Sequence, residues 1–131
     1  MKRKRILIPL GIILVLIVFA VNFDRKKASV KIDSVKIANS QVEISALIKN
    51  TGKEQHNFPV SCSLRKPDGK WFDIPHQFAY LELEKEMTVS FVRDLKKIGT
   101  IDLVRVAVWE KVDKHGHLKK QYAHDDKGII K

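Results

Sequence analysis

The chain has 131 residues, with 25 Lys and Arg against 15 Asp and Glu, a net charge of +10 and one cysteine. The part behind the N-terminal residues 1–23 has the size of one ordinary domain, and a single cysteine excludes an internal disulfide framework. The basic balance suits anionic surroundings such as wall polymers or headgroups, or simply a well-solvated surface.

Lys2, Arg3, Lys4 and Arg5 open the chain as a basic cluster over residues 1–5, and an apolar run from Ile6 to Phe23 follows. At about 1.5 Å per residue, a helix needs about 20 residues to cross a bilayer core, so residues 6–23 are expected to form one transmembrane helix. The basic cluster then stays in the cytoplasm and everything after the span lies outside it, as a single-pass protein of the cell membrane. A second reading fits the same residues. Val18-Phe19-Ala20 suits a signal peptide cut after Ala20, although the h-region is long for one. Either way the remainder is sent across the membrane, where no nucleic acid is expected as a partner. A lipoprotein is disfavoured because Cys62 lies far from the apolar run. Residues 24–28 form a short stem, and residues 29–131 form the extracytoplasmic domain.

Past residue 28 the apolar period is two, the signature of half-buried strands. Val42, Ile44, Ala46 and Ile48 alternate with Glu43, Ser45, Leu47 and Lys49. Phe58, Val60, Cys62 and Leu64 do the same, as do Met87, Val89 and Phe91, and Val104, Val106 and Val108. Val30 and Ile32 are out of phase with Val35 and Ile37, which predicts a bulge near Asp33-Ser34. Turn chemistry separates the segments. Asn50-Thr51-Gly52 ends one strand, and Lys66-Pro67-Asp68-Gly69 fits a turn with proline setting φ and glycine the reversal. Ile98-Gly99 precedes an expected strand over Ile101–Lys111, and Asp113–Gly116 leads a hairpin into a last strand around Leu118–His124. Residues 71–83 read as a connection. Strands at intervals of about ten residues suggest an all-β fold, an antiparallel β-sandwich.

Glu43–Gly52, Pro59–Leu64, Pro67-Asp68-Gly69, Gly99 and the Val104–Trp109 strand resemble a small immunoglobulin-like domain, in particular the bacterial cell-adhesion-related domain, over about residues 30–111. These are turn and core motifs, so they speak to fold more than function. The resemblance implies a surface-exposed, non-catalytic module for adhesion, spacing or assembly. With one domain behind one anchor, a tethered accessory role is the closer expectation.

Chemistry-bearing constellations are sparse. His115, His117 and His124, with Asp125, are weak candidates for a metal site, since neutral imidazoles ligate zinc or copper. Their spacing matches no closed site, and solvated loop histidines are the expectation, so no metal or other cofactor is assigned. Glu82, Glu84 and Glu86 would share one face if they lay on a strand, blunting an edge. No nucleophile motif or phosphate loop occurs, and Cys62 sits on an apolar face where a thiolate is disfavoured, so the domain is not expected to be an enzyme. The aromatic residues are more suggestive. Trp109 and Leu47 fall out of phase with the core faces, and Trp71, Phe72, Phe78 and Tyr80 follow the Pro-Asp-Gly turn. Trp109, Leu47, Trp71, Phe72 and Tyr80 are therefore expected to contact a partner protein of the envelope. The alternatives are a secreted domain binding an anionic wall polymer or glycan, and a histidine-based metal-binding domain.

Overall fold

The structure is a computed structural model that describes residues 27–129. The expected span at Ile6–Phe23 and most of the stem lie outside the described residues. Among the described residues no helix is long and apolar enough to cross a membrane.

Seven strands follow one another among the described residues: β1 (Ala28–Ala38), β2 (Gln41–Asn50), β3 (His56–Arg65), β4 (Trp71–Leu81), β5 (Glu86–Asp94), β6 (Leu103–Val112) and β7 (Leu118–Gly128). They make two antiparallel sheets, β1-β2-β5 and β4-β3-β6-β7. The chain is thus an all-β sandwich, compatible with the expected immunoglobulin-like class. In the constant-type immunoglobulin arrangement the fourth strand joins the first two and the fifth; here β4 pairs with β3 instead.

The alternating residues build the core as the sequence predicts. Val42, Ile44, Ala46 and Ile48 of β2 are fully buried, and Val60, Cys62 and Leu64 of β3 face Val104, Val106 and Val108 of β6. Phe58 and Phe91 are the largest fully buried side chains. Each such residue contributes about 1.5–3 kcal/mol relative to exposure. Burial pushes the Cys62 thiol up to about 12, with Asp73 adding to the effect, so the cysteine is a protonated core residue at neutral pH. Met87 departs from the pattern. It shares the inward phase of its partner Ile48 but is exposed at the start of an edge strand.

The bulge expected near Asp33 is present, with the β1–β2 register shifting between Ile32 and Ser34. It frees the Ile32 amide, which donates to the Asp125 carboxylate of β7 at 2.8 Å and closes that side of the sandwich. On the opposite side, Gln77 of β4 donates to the Ser90 carbonyl of β5 at 2.6 Å.

Two expectations change. Residues 71–83 are mostly strand β4, not a connection. A register shift places Val60 opposite Gln77 and Cys62 opposite Ile74, so β4 carries one extra residue around Pro75-His76. The inward set is therefore Phe72 and Ile74 before the bulge and Ala79 and Leu81 after it, which hides the alternation. Glu82, Glu84 and Glu86 do not share a strand face. Glu82 and Glu84 lie in the β4–β5 turn, where Glu84 takes a φ of 58°, and Glu86 begins β5.

The loops gather at two ends. The chain enters β1 at one end, beside Gly52, the β4–β5 turn and the β6–β7 hairpin at Asp113–His117. Asn50 ties this end together and is fully buried. Its amide donates to the Glu54 and Leu81 carbonyls at 2.8 and 3.0 Å, and its side-chain oxygen accepts the Gly52 amide at 2.9 Å. The far end carries the β1–β2 turn, the Pro67 turn and the β5–β6 connection. Asn39 and Ser40 have φ of 54° and 61°, as a two-residue type I′ hairpin requires. Leu95, Ile98 and Ile101 of the connection turn inward and close the core there.

Candidate functional site

Strand pairing decides which outward side chains become neighbours. On the outer face of the four-stranded sheet, Trp71 lies opposite Arg65, Asp73 opposite Ser63, Phe78 opposite Pro59 and Tyr80 opposite Asn57. Across β3, Ser63 is paired with Arg105 and Ser61 with Ala107. Arg105 pairs in turn with Asp126, and Ala107 with His124. The face therefore presents Trp71, Phe78 and Tyr80 along edge strand β4, at 40%, 51% and 59% exposure. Pro59, on the outward phase, is nonetheless buried between the strands that carry Phe78 and Trp109.

Trp71 has a built environment. The Arg105 guanidinium stacks over its ring at 4.9 Å, and that of Arg65 lies at 5.8 Å. Both arginines are held from behind by carboxylates: Arg105 by Asp126 at 2.7 and 2.9 Å, Arg65 by Asp102 at 3.0 Å. The hydrogen bond to Arg105 is the main reason the Asp126 carboxyl lies below its ordinary value, and the reciprocal bond raises Arg105. Two planar cations fixed beside an indole leave its free face for a planar or apolar contact, since an Arg–aromatic stack is rigid and weakly hydrated.

The five expected contact residues divide among three places. Trp71, Tyr80 and Trp109 share this face, and Phe78 joins them. Trp109 is half-buried and its indole N–H donates to Ser61 Oγ at 2.9 Å, so part of its surface is committed to the sheet. Phe72 pairs with Leu64 on the inward phase and packs against the core. Leu47 lies between Lys31 and Thr88 on the outer face of the other sheet, so the core separates it from Trp109. A single surface holding both Leu47 and Trp109 is incompatible with these pairings.

The histidines separate as well. His115 and His117 occupy the β6–β7 hairpin with ring centroids 6.3 Å apart, and both backbone amides donate to Asp113 at 2.9 Å. His124 sits mid-strand opposite Ala107, where Nδ1 meets the Gln121 amide at 3.0 Å. Seven strand residues from His117, it lies about 20 Å along the sheet. No group of three metal-ligating side chains forms among the described residues. His56 is structural, its Nε2 2.6 Å from the Glu110 carbonyl and its ring edge-on to Phe58. Arg65 and Arg105 escaped the sequence reading. Their outward phase was legible, but only strand order could place Arg105 beside a tryptophan of a strand two positions away.

Compared with known proteins, the chain matches no protein family model and no curated sequence. Its fold is similar to part of β-glucosidase 3B from Thermotoga neapolitana, at a TM-score of 0.52 and 12% identity over 79% of this chain. It is similar too to part of a calcium-binding mutant of Bacteroides uniformis β-glucuronidase 2, at 0.52 and 13% over 78%. The chain spans only 16% and 13% of those two proteins, and at such identity the likeness is one of fold.

Proposed function

We propose that this chain is a non-catalytic interaction or assembly module, displayed outside the cytoplasm and tethered by its N-terminal apolar segment. It meets its partner through the outer face of the four-stranded sheet. One observation carries this reading: Trp71, Phe78 and Tyr80 stand exposed in a row on one edge strand, with two arginines fixed beside the first. Aromatic and arginine side chains held rigid before contact are the usual anchors of protein interfaces. The apolar run at Ile6–Phe23 supports the tether, by its length and basic flank.

The test is co-purification of the full chain from mild detergent, followed by the Trp71→Ala/Tyr80→Ala variant. Loss of the companion protein with an unchanged melting curve supports the contact face; full retention overturns it. Resistance of the protein to carbonate extraction, with N-terminal sequence before Ala20, supports the tether. A mature chain starting at Val21 replaces it with the secreted alternative. That alternative, a domain binding glycan or wall polymer, draws on the same aromatic strip. It also draws on the likeness in fold to a glycosidase solved with glucose. Retention of the domain by isolated cell wall, lost in the same double variant, favours it.

A further inference from the structure

The far end of the sandwich differs from the sheet face described above. It holds an open cleft of about 630 Å3, whose eight lining residues include the aliphatic Ile37, Leu95, Ile101 and Ile129 and the polar Ser40, Lys96 and Thr100. Half of the lining residues are aliphatic. Leu95 and Ile101 belong to the core, whereas Ile37 is 47% exposed although it lies at the end of a strand that could have buried it. Around this apolar floor the sequence places Lys66, Lys70, Lys96, Lys97 and Lys127, all from turns or strand ends of the same pole. None of these five ammonium groups lies within ion-pair distance of a carboxylate of the described residues. The acids nearest in sequence are occupied by backbone: Asp68 accepts the Lys70 amide at 3.0 Å and Asp94 the Lys96 amide at 2.8 Å. At the entry end, by contrast, Lys119 and Lys120 are paired with Asp113 and Glu110.

Unpaired cations of one sign around an apolar hollow focus an attractive potential for anions on that end. The hollow adds a requirement that a bare polyanion does not meet, because its aliphatic floor is satisfied only by an apolar side chain. We infer that the far-end cleft docks an acidic polypeptide segment carrying one apolar anchor. The anchor enters between Ile37, Leu95 and Ile129, and flanking carboxylates reach Lys96, Lys97 and their neighbours. The site is separate from the aromatic face, so one module could engage two partners or two parts of one.

The experiment uses the full chain in mild detergent and a short fluorescein-labelled peptide of glutamates and aspartates with a central Leu-Phe pair, followed by anisotropy. Binding should weaken about 10-fold or more in Lys96→Glu/Lys97→Glu and fall steeply with added salt. It should weaken about as much when the peptide's Leu-Phe pair is replaced by Ser-Ser. Both lysines are exposed, so an unchanged melting curve is expected and shows that the fold is intact. Trp71→Ala should leave this binding unaltered, which separates the cleft from the aromatic face. No binding of the peptide, or binding indifferent to the lysine reversal, overturns the proposal. So does inorganic polyphosphate, or anionic phosphatidylglycerol vesicles, competing as well as the Leu-Phe peptide and better than the Ser-Ser one.

Discussion

The two outer faces of this sandwich are made by the same rule and come out differently. Behind each lies a strand phase that is almost wholly apolar. In front of the three-stranded sheet stand Lys31, Lys36, Glu43, Ser45, Lys49, Thr88 and Ser90, with Leu47 and Val92 single among them. In front of the four-stranded sheet stand Trp71, Phe78, Tyr80 and half-buried Trp109, with Arg65 and Arg105. A scattered apolar residue on a charged sheet is ordinary surface. A row of exposed aromatics beside fixed guanidinium groups is a surface with something to bury. Being out of phase with the core marks a residue as outward. It does not say which outward surface the residue joins.

The largest expected effect tests what the two faces share. Val106→Asp or Ile44→Asp would place an uncompensated charge in a fully buried site, one from each sheet. Either should cost several kcal/mol and abolish cooperative thermal unfolding. Lys49→Asp, on the polar outer face, should shift the melting temperature by a degree or two at most. A folded Val106→Asp would mean that the inward phase is misassigned. Asn50→Ala comes next. It removes three hydrogen bonds at a buried end, taking the donor from the Glu54 and Leu81 carbonyls while the Gly52 amide keeps the Lys27 carbonyl, for about 2–4 kcal/mol by urea denaturation.

The contrast between the faces is sharpest in binding. Trp71→Ala should weaken partner capture about 30-fold, equivalent to about 2 kcal/mol. Leu47→Ala should leave capture unchanged, and equal losses from both would mean that the two outer faces do not differ in binding. Trp109→Ala should lower both capture and melting temperature, because its indole is bonded to Ser61. Arg105→Ala has a smaller signature, in pH. Asp126 is held below its ordinary value of 3.8 by this arginine. The pair therefore stabilises the fold above about pH 4, and that contribution is lost as pH falls through the lower folded value. Both groups are partly exposed, at 41% and 32%, so under about 1 kcal/mol is expected. The variant should be less stable than the parent at pH 7, and the gap should narrow as pH falls below the ordinary Asp value of 3.8. A gap independent of pH would assign Arg105 to packing on Trp71 alone. The smallest change belongs to the polar sheet: Ser40→Gly relieves a left-handed residue in the β1–β2 turn and should add about 0.5–1 kcal/mol without touching the aromatic face.

By itself the sequence determined the all-β class, the inward residues of β2, β3 and β6, the bulge at Asp33 and the turns at Pro67 and Asp113. Each rests on interactions within a few residues, either a two-residue period or the φ preference of proline and glycine. Strand β4 escaped because its bulge at Pro75-His76 reverses the phase halfway, so no single alternation runs through Trp71–Leu81. The apolar end made by Leu95, Ile98 and Ile101 escaped because a connection has no period to read. Tertiary structure alone decided that Phe72 packs inward, that Leu47 and Trp109 lie on opposite faces, and that His124 is remote from His115 and His117. It also set Arg105 of β6 against Trp71 of β4. Those facts depend on which strands are neighbours, and hydrogen-bonded pairing between distant segments leaves no local trace in the chain.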